Sequence, residues 1–282
     1  MNTIPEIRPG QSIELLKELH ILTRDAKLNQ DSRRKLKQIY HLYQFIEPLL
    51  LEIRKRRADI HLVDHGAGKS YLGFILYDLF FKAPASNSRI YGIETRAELV
   101  TRSKDLAHRL GFSGMSFLNL SVADSIASEQ LPAQVDIVTA LHACNTATDD
   151  AIRFALGKKA QYMVLVPCCQ AEVAAALKKN KARALARSVM TEIWRHPLHT
   201  REFGSHVTNV LRCLQLEAHG YQVSVTELVG WEHSMKNELI IAQYKNLPRR
   251  RPAERLAEVL QTLGLEEMQE RFFTPLLEPG QR

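Results

Sequence analysis

At 282 residues, the chain is long enough to bury one substantial core, with room for an extra segment beside it. Hydrophobic residues make up 45% of the chain and charged residues 24%, which is ordinary for a soluble globular protein. No apolar run approaches the roughly 18–20 residues that span a bilayer, and the four cysteines lack the spacing of a disulfide framework. The opening MNTIPEIRPG lacks the pattern of a secretory signal. The sequence therefore predicts a cytoplasmic protein without a membrane partner.

The formal net charge is +7, and the basic residues are clustered along the sequence. Clusters of this kind attract polyanions, which favours a nucleic-acid partner. Solvated helix faces and helix ends explain the same clusters equally well, because a modest basic excess is common. The clusters are Arg33-Arg34-Lys35, Arg54-Lys55-Arg56-Arg57, Lys178-Lys179 with Lys181 and Arg183, and Arg249-Arg250-Arg251.

The hydrophobic pattern divides the chain into three regions. Residues 1–57 are expected to form a helical N-terminal segment, a candidate for binding RNA or another substrate. Residues 58–246 alternate short β-rich runs with helical stretches, which is typical of a doubly wound α/β domain. Residues 247–282 begin with a basic linker and continue as a short helical tail, for which Pro252 is a suitable first residue.

The N-terminal helix carries signals for its start and for a break. Asp31 and Ser32 are residue types that cap helix N-termini. Pro48 lacks the N–H group that a helix interior needs, so we expect it to bend or interrupt the helix. The apolar residues that predict this helix are Leu36, Ile39, Tyr40, Tyr43, Ile46, Leu50 and Ile53.

Seven strands are predicted, and they are Ile60–Val63, Arg89–Ile93, Ser116–Leu120, Val135–Ala140, Tyr162–Val166, Gln222–Val229 and Glu238–Tyr244. Helical crossovers join the first five, and the last two are close enough to form a hairpin. This order predicts an α/β, Rossmann-like class I methyltransferase fold: a seven-stranded, mostly parallel sheet with an antiparallel last strand. A dinucleotide dehydrogenase normally ends with another parallel strand instead.

A tight turn follows the first predicted strand. Gly66-Ala67-Gly68 lets the backbone turn sharply and approach a ligand without a Cβ clash. The helix predicted over roughly Tyr71–Phe81 then directs its free N–H groups and its positive end at that ligand. Asp64, at the strand end, is placed to take the ligand's ammonium group. A purely structural strand-to-helix turn is the alternative explanation.

Two phosphate-bearing ligands are excluded by missing glycines. A P-loop requires a glycine five residues before Gly68, and that position is Val63. A dinucleotide fingerprint requires a third glycine three residues after Gly68, where the chain has Tyr71. A smaller, positively charged nucleoside suits this turn better, so we predict S-adenosyl-L-methionine as the cofactor.

Residues after the second and third strands complete the predicted cofactor site. Glu94 ends the second strand, where an acid can accept both hydroxyls of a ribose, although a surface carboxylate is the alternative. Val122 and Asp124 follow the third strand and are placed to cover and hydrogen-bond an adenine. The predicted cofactor-binding residues are Asp64, His65, Gly66, Ala67, Gly68, Lys69, Glu94, Val122, Asp124 and His142.

Polar residues also follow strands four and five and occupy the last hairpin. The carboxyl ends of parallel strands meet at one edge of the sheet, so these residues should converge around the transferred methyl group. A neutral His142 or His233 can remove a proton from the acceptor. Alternatively, Cys144 or Cys169 can attack C6 of a pyrimidine, which requires a thiolate. The polar residues are His142, Cys144, Asn145, Cys168, Cys169, Gln170, Glu232, His233, Lys236 and Asn237.

Two neighbouring groups have further interpretations. His142 and the cysteines near it can be considered as zinc ligands, but spaced ligand pairs of the finger type are absent, so we predict no metal. The stretch Arg195–His206 is expected to be poor in helix near Pro197 and is either a substrate lid or an ordinary connection.

Four stretches carry a family resemblance, and they are Asp64–Leu72, Leu141–Cys144, Pro167–Gln170 and Glu232–Asn237. Together they resemble one branch of the class I S-adenosylmethionine-dependent methyltransferases. This branch comprises bacterial methyltransferases of little-known function, eukaryotic methyltransferase-like proteins and the domain of the eukaryotic tRNA acceptor-stem 2′-O-methyltransferase. The resemblance covers about residues 31–246. It implies a Rossmann-like fold with the cofactor near Asp64, Gly66, Gly68, Glu94 and His142.

The chain departs from the pattern of this branch at four positions. His65 stands where related sequences tend to have a small or apolar residue, and Ser70 where they tend to have glycine. Asn145 replaces the usual glycine or aspartate, and Gln170 replaces a frequent histidine. None of these changes removes the cofactor site, but Gln170 weakens the transfer of a catalytic role from the cysteine–cysteine–histidine run.

Three functions are compatible with these patterns. The leading hypothesis is an RNA methyltransferase, acting on tRNA or rRNA, whose basic N-terminal segment holds phosphates. The second is a methyltransferase of a small molecule or a protein, in which the basic clusters are only solvated surface; scattered charges in the folded molecule would favour it. The third is a non-catalytic module that retains the cofactor pocket, against which the intact Asp64, Gly66, Gly68 and Glu94 argue.

Overall fold

A computed structural model describes residues 6–82, 87–141, 145–167, 170–184, 192–193, 195–228 and 238–273. The strands are β1 (His61–His65), β2 (Arg89–Ile93), β3 (Met115–Leu118), β4 (Ile137–Leu141), β5 (Tyr162–Val166), β6 (Tyr221–Glu227) and β7 (Glu238–Tyr244). They form one sheet in the order β3-β2-β1-β4-β5-β7-β6. β1 to β5 run parallel, and β7 is antiparallel to both of its neighbours. The predicted fold class is confirmed, with strand ends within two residues of those expected.

The helices are α1 (Ile13–Glu18), α2 (Gln30–Arg54), α3 (Tyr71–Leu76), α4 (Ala97–Arg109), α5 (Val122–Ala127), α6 (Ala147–Gly157), α7 (Glu172–Ala184), α8 (Pro197–Ala218) and α9 (Arg250–Thr262). A π-helical turn, Tyr77–Phe81, extends α3. The helix expected after the glycine turn is therefore present, with an α-helical first part and a π-helical second part. A short 3-10 turn, Glu266–Met268, follows α9.

Alternating strand residues divide the core between the two faces of the sheet. Leu62 and Ile90 pack with α1, α2, α3 and α4 on one face. Val63 and Val138 pack on the other face with α6 and with Leu216 of α8. A third apolar cluster joins α7, α8 and α9. The N-terminal helices are therefore part of the layer that covers the sheet.

The α2 helix differs in two details from the sequence expectation. Its N-cap is Asn29, whose side chain accepts a hydrogen bond from the Ser32 N–H (2.8 Å), so Asp31 and Ser32 lie inside the first turn. Pro48 does not interrupt the helix, which continues to Arg54. A buried stripe runs along the helix on both sides of Pro48, and its packing outweighs the local cost of the proline.

The stretch around Pro197 is helical, which makes the expectation of a helix-poor stretch and a lid there wrong for residues 197–206. Pro197 is the first residue of α8, a position where its missing N–H has no helical partner to lose. The helix then crosses α7 closely at Gly204, where an added Cβ would lie 2.6 Å from Ala174. The proline therefore starts an element of the core.

Candidate functional site

The glycine turn after β1 is tethered to the end of β2. Gly66 and Gly68 have φ values of 67° and 57°, in the left-handed region that favours glycine. The N–H of Ala67 donates to the carbonyl oxygen of Ile93 (2.9 Å), and the N–H of Gly68 donates to Glu94 Oε2 (2.8 Å). The positive φ values therefore explain why both positions are glycine.

Asp64 is buried beneath this turn and connects three elements. Its Oδ1 accepts a hydrogen bond from Thr139 of β4 (2.9 Å), and its Oδ2 accepts one from Ser70 at the start of α3 (3.1 Å). Burial raises the pKa of Asp64 to about 6, although these hydrogen bonds and the N–H of Gly73 act in the opposite direction. The carboxylate lines the cavity described below and also maintains the shape of the turn.

Ser70 and Gly73 form a pair that the sequence pattern did not identify. Ser70 adopts a left-handed conformation with φ of 50°, although it is not a glycine. Its hydroxyl occupies the space next to Gly73, where an added Cβ would overlap the Ser70 oxygen. A serine at position 70 therefore requires glycine at position 73, because a larger residue there would collide with the serine hydroxyl. The spacing of Ser70 and Gly73 is the sequence signal that could have identified this pair.

Glu94 is mostly buried, and both of its carboxylate oxygens are engaged. Nε and Nη2 of Arg96 donate to Oε1 and Oε2, each at 3.1 Å, and the Arg96 main-chain N–H also donates to Oε1. Burial alone would raise the pKa of Glu94, but the hydrogen bonds from Arg96 and from the Gly68 N–H lower it to about 2. The carboxylate is therefore charged at neutral pH.

His65 faces away from this cavity. Its ring lies 5.3 Å from the ring of Phe154 in α6, on the other face of the sheet. Neither ring nitrogen has a hydrogen-bond partner within the described parts of the chain, and burial lowers the pKa of His65 to about 4. The side chain is a neutral core residue, so only the backbone of His65 is left to serve the predicted cofactor contact.

A cavity of about 320 Å³ opens between the glycine turn and α2. The turn contributes one wall, and α2 with Ile21, in the connection after α1, contributes the opposite wall. Arg96 is the N-cap of α4, and Leu141 is the last residue of β4. Sequence reasoning had assigned no cofactor-site residue to α2. The lining residues are Ile21, Lys35, Gln38, Ile39, Leu42, Asp64, Gly66, Ala67, Gly68, Lys69, Tyr71, Leu72, Arg96 and Leu141.

The residues predicted to hold the adenine lie outside the lining of this cavity. Val122 begins α5, and Asp124 stands in its first turn. The Ser121 hydroxyl accepts a hydrogen bond from the Asp124 N–H (3.2 Å) and donates to its carboxylate (2.6 Å), which is an N-cap arrangement. Asp124 thus has a structural role at the helix start, and its contact with an adenine stays a prediction.

The predicted catalytic residues lie outside the described residues, as does the rest of the polar set from the last hairpin. His142, Cys144 and Cys169 follow β4 and β5 in the sequence, and His233 lies between β6 and β7. Their described neighbours Asn145 and Gln170 belong to a buried polar network around Arg212 of α8, which the sequence analysis missed. An arginine inside an apolar helical pattern was the only signal for it.

No group of three or more histidine, cysteine, aspartate or glutamate side chains suitable for a metal ion occurs among the described residues. Within the same residues, no helix is both long enough and apolar enough to cross a membrane.

The fold defines a class I methyltransferase domain, and the cavity at its carboxyl edge is lined by the glycine turn and the Asp64 carboxylate, with Glu94 hydrogen-bonded to the same turn. Residues 34–176, about half of the chain, match the family model described as a methyltransferase domain. The chain belongs to this family, it is an S-adenosylmethionine-dependent methyltransferase, and its cofactor is S-adenosyl-L-methionine.

One curated relative, a glutathione S-transferase C-terminal domain-containing protein of Bos taurus, is 22% identical over 236 residues, which cover 77% of this chain and 34% of the relative. The chain spans about a third of the length of that protein.

Several solved structures are similar at low identity. Magnesium protoporphyrin IX methyltransferase from Synechocystis PCC 6803 is 14% identical, with 82% of this chain and 93% of that chain covered and a TM-score of 0.45. An rRNA methylase from Streptococcus thermophilus is 8% identical, with 68% and 89% covered and a TM-score of 0.41. The names of these two proteins state different acceptors.

Proposed function

We propose that this protein transfers the methyl group of S-adenosyl-L-methionine to RNA, whose phosphates bind beside the glycine turn. The observation that carries the proposal is the position of Lys35. It projects from α2 into the lining of the cofactor cavity, opposite Gly66 and Gly68. The bound cofactor supplies an electrophilic methyl group. A cation that lines the same cavity is placed to hold the backbone of a polyanionic acceptor.

Further cations continue from this point. Lys69 and Tyr71 line both the cofactor cavity and a second cavity, which Arg102 also lines. Glu18 neutralises Arg109 in an ion pair there (2.9 Å), whereas no ion pair of the described residues includes Lys35, Lys69 or Arg102. These three exposed cations form a short basic track from the cofactor outward, and the resemblance to a branch with a tRNA methyltransferase is consistent with it.

The four basic clusters do not all lie along this track. Arg57 pairs with Asp136, just before β4, and Arg249 donates to Tyr244, at the end of the antiparallel β7. Both contacts are at the amino edge of the sheet, opposite the glycine turn. Arg33 pairs with Glu6 (2.9 Å). Lys35, from the same cluster, lines the cavity. This dispersal favours the second candidate, a small-molecule or protein acceptor, so the test must separate the two.

For the cofactor, we propose that Asp64 attracts the ammonium group and that Glu94 binds the ribose hydroxyls, with the backbone of Gly66–Lys69 against the methionine portion. Arg96 donates to the same oxygens of Glu94. A ribose bound to Glu94 must therefore share the carboxylate with Arg96, whose side chain is exposed enough to move aside.

For proton removal from the acceptor, we propose His142 or His233. Each has the residue type and the sequence position for a general base at the carboxyl edge. His142→Ala should lower turnover while S-adenosyl-L-methionine binding is largely kept, and wild-type turnover of this variant would contradict the assignment of His142.

The acceptor can be identified with purified protein and S-adenosyl-L-methionine labelled in its methyl group. The protein is incubated with total RNA, and separately with the protein and small-molecule fractions, from cells that lack the gene. We expect label in RNA that survives as a methylated nucleoside after digestion. Label only in another fraction would establish the second candidate, and label in none would leave a non-catalytic module.

Two charge reversals on α2 make the test specific. Lys35→Glu at the carboxyl edge should reduce RNA labelling about tenfold at low salt, with a smaller reduction at high salt, because one phosphate contact is lost. Lys55→Glu changes the charge by the same amount at the other end of the helix and should stay within about twofold of wild type. Equal effects of both variants would mean that net charge, and not the basic track, governs RNA binding.

A further inference from the structure

A fully buried arginine lies behind the carboxyl edge of the sheet. The Arg212 side chain has no exposed surface, and it pairs with Asp149 of α6 through two hydrogen bonds, Nε to Oδ1 at 2.7 Å and Nη2 to Oδ2 at 3.0 Å. A buried charge pair usually adds little stability compared with apolar packing of the same volume, because both ions lose their hydration. Its position therefore requires an explanation other than stability.

Arg212 makes contacts beyond Asp149 that reach the ends of two strands. Its Nη2 donates to the carbonyl oxygen of Asn145, the first described residue after β4 (2.9 Å). Its Nη1 donates to Oδ1 of Asn209, one turn earlier on α8 (3.2 Å). The side-chain amide of Gln170, which follows β5, donates to the same Asn209 oxygen (3.1 Å), and its oxygen accepts a hydrogen bond from Nη1 of Arg212 (3.3 Å).

Asn209 extends the network to a third strand. Its Nδ2 donates to Oε2 of Glu238, the first residue of β7 (2.6 Å). Asn145, Gln170 and Glu238 are the first described residues after segments 142–144, 168–169 and 229–237 in the sequence. All of the predicted catalytic side chains come from those three segments.

A second arginine binds Asp149 without these extra contacts. Arg271 donates to Asp149 Oδ2 (2.7 Å) and pairs with Glu172. Asp149 would therefore keep one cationic partner without Arg212. The contacts that Arg212 makes and Arg271 does not are those to Asn145, Asn209 and Gln170.

We propose that Arg212 is a positioning residue for methyl transfer, which holds the carboxyl ends of β4 and β5 and the first residue of β7 at fixed distances through Asn145, Asn209, Gln170 and Glu238. Arrangement of reacting groups to within a fraction of an ångström accounts for a large share of enzymatic rate, and rigid supporting residues provide it. The proposal rests on the methyltransferase activity and is independent of whether the acceptor is RNA.

The test compares three variants by hydrogen–deuterium exchange. Arg212→Lys keeps the charge but loses the fork of donors, and we expect about tenfold faster exchange in the peptides that contain Asn145, Gln170 and Glu238. Arg271→Lys is the matched control, because it weakens the bonding to Asp149 and Glu172 without touching Asn209 or Glu238, and it should leave the peptide of Glu238 unchanged. Asn209→Ala should accelerate the peptide of Glu238, which Asn209 holds directly, but not that of Asn145, which Arg212 holds.

A second readout separates positioning from loss of stability. Arg212→Lys should lower the rate of methyl transfer about tenfold with the cofactor dissociation constant within about threefold of wild type, whereas Arg271→Lys, at a similar melting temperature, should keep its rate. Equal rates in the two variants, or exchange that rises uniformly over the chain in Arg212→Lys, would overturn the proposal. If RNA proves not to be the acceptor, the exchange pattern still decides the role of Arg212.

Discussion

The two halves of the carboxyl edge are built in different ways. At the ends of β1 and β2, the shape comes from backbone conformation and short connections: Gly66 and Gly68 have positive φ, and Asp64 binds Ser70 six residues later. At the ends of β4, β5 and β7, the shape comes from side chains distant in sequence, with Arg212 bonded to residues 63 and 67 positions away. The half at β1 and β2, where we propose that the cofactor binds, is thus built on a local glycine motif with longer-range support such as the bond from Thr139 to Asp64. The half at β4, β5 and β7 depends on the assembled fold.

The two halves also differ in how exposed their arginine side chains are. Arg96 covers Glu94 from the solvent side, with 59% of its side chain exposed, whereas Arg212 has none exposed. An exposed pair is screened by water and adds little, whereas a buried pair is costly to disrupt. We therefore expect unequal consequences when each arginine is removed.

The largest expected effect comes from Arg212→Ala. It removes the buried hydrogen bonds from the guanidinium to Asp149 Oδ1, the Asn145 carbonyl oxygen and Asn209 Oδ1, and it leaves Asp149 with Arg271 alone. We expect the free energy of unfolding to fall by about 3–5 kcal/mol in urea titrations. Arg96→Ala, in the other half, should change it by less than about 1 kcal/mol. Similar losses in both variants would remove the energetic distinction between the halves.

Gly68→Asp should eliminate most cofactor binding. Its φ of 57° disfavours a side chain, and a Cβ there would lie 3.7 Å from Arg96 Nη2 and 4.0 Å from Glu94 Oε2, so the new carboxylate would stand beside Glu94 and compete with it for Arg96. We expect the affinity for S-adenosyl-L-methionine in calorimetry to fall by about 100-fold or more, equivalent to about 2.7 kcal/mol. Gly68→Ala, which has the strain without the charge, should lose about tenfold; unchanged affinity in Gly68→Asp would move the cofactor elsewhere.

Asp64 and His65 are adjacent but should give the fold opposite pH dependence. Burial raises the pKa of Asp64 from 3.8 to about 6, so its contribution to stability increases as pH falls from about 6 to 4. Burial lowers the pKa of His65 from 6.5 to about 4, so its contribution decreases over a similar window, because only the unfolded chain takes up the proton. The two effects oppose each other in the wild-type protein.

Single variants should reveal each slope. In His65→Leu, stability should rise by about 2 kcal/mol between pH 6.5 and 4.5, and in Asp64→Asn it should fall by a similar amount, measured by urea unfolding at each pH. Matching pH profiles in the two variants would show that one of these side chains is not buried as described.

The smallest expected effect is that of Ser70→Gly. Glycine relieves the left-handed strain at φ of 50°, worth about 1–2 kcal/mol, but removes the hydroxyl that donates to Asp64, worth a similar amount. We expect a net change in unfolding free energy below about 1 kcal/mol. Ser70→Ala loses the hydrogen bond and keeps the strain, so it should be destabilised by about 1–2 kcal/mol; a neutral Ser70→Ala would mean that the hydroxyl does not support the turn.

The sequence predicted correctly those features that depend on the backbone preferences of neighbouring residues. The seven strands of a mostly parallel sheet with an antiparallel last strand followed from the short β-rich runs and the closing hairpin, and Gly66 and Gly68 adopt the positive φ that the motif requires. The prediction failed at the two prolines, since burial of the α2 stripe kept the helix continuous through Pro48, and Pro197 begins a helix instead of a loop.

By itself, then, the sequence determined the sheet, the glycine turn and the class of cofactor, because each depends on conformational preferences over a few residues. Tertiary structure alone decided that α2 forms a wall of the cavity beside the glycine turn, and that His65 turns into the core beside Phe154. It also decided that Arg212 belongs to a network that includes Asn145, Gln170 and Glu238. These contacts connect residues far apart in the chain, and their energies depend on burial and distance, which exist only after the helices have packed on the sheet.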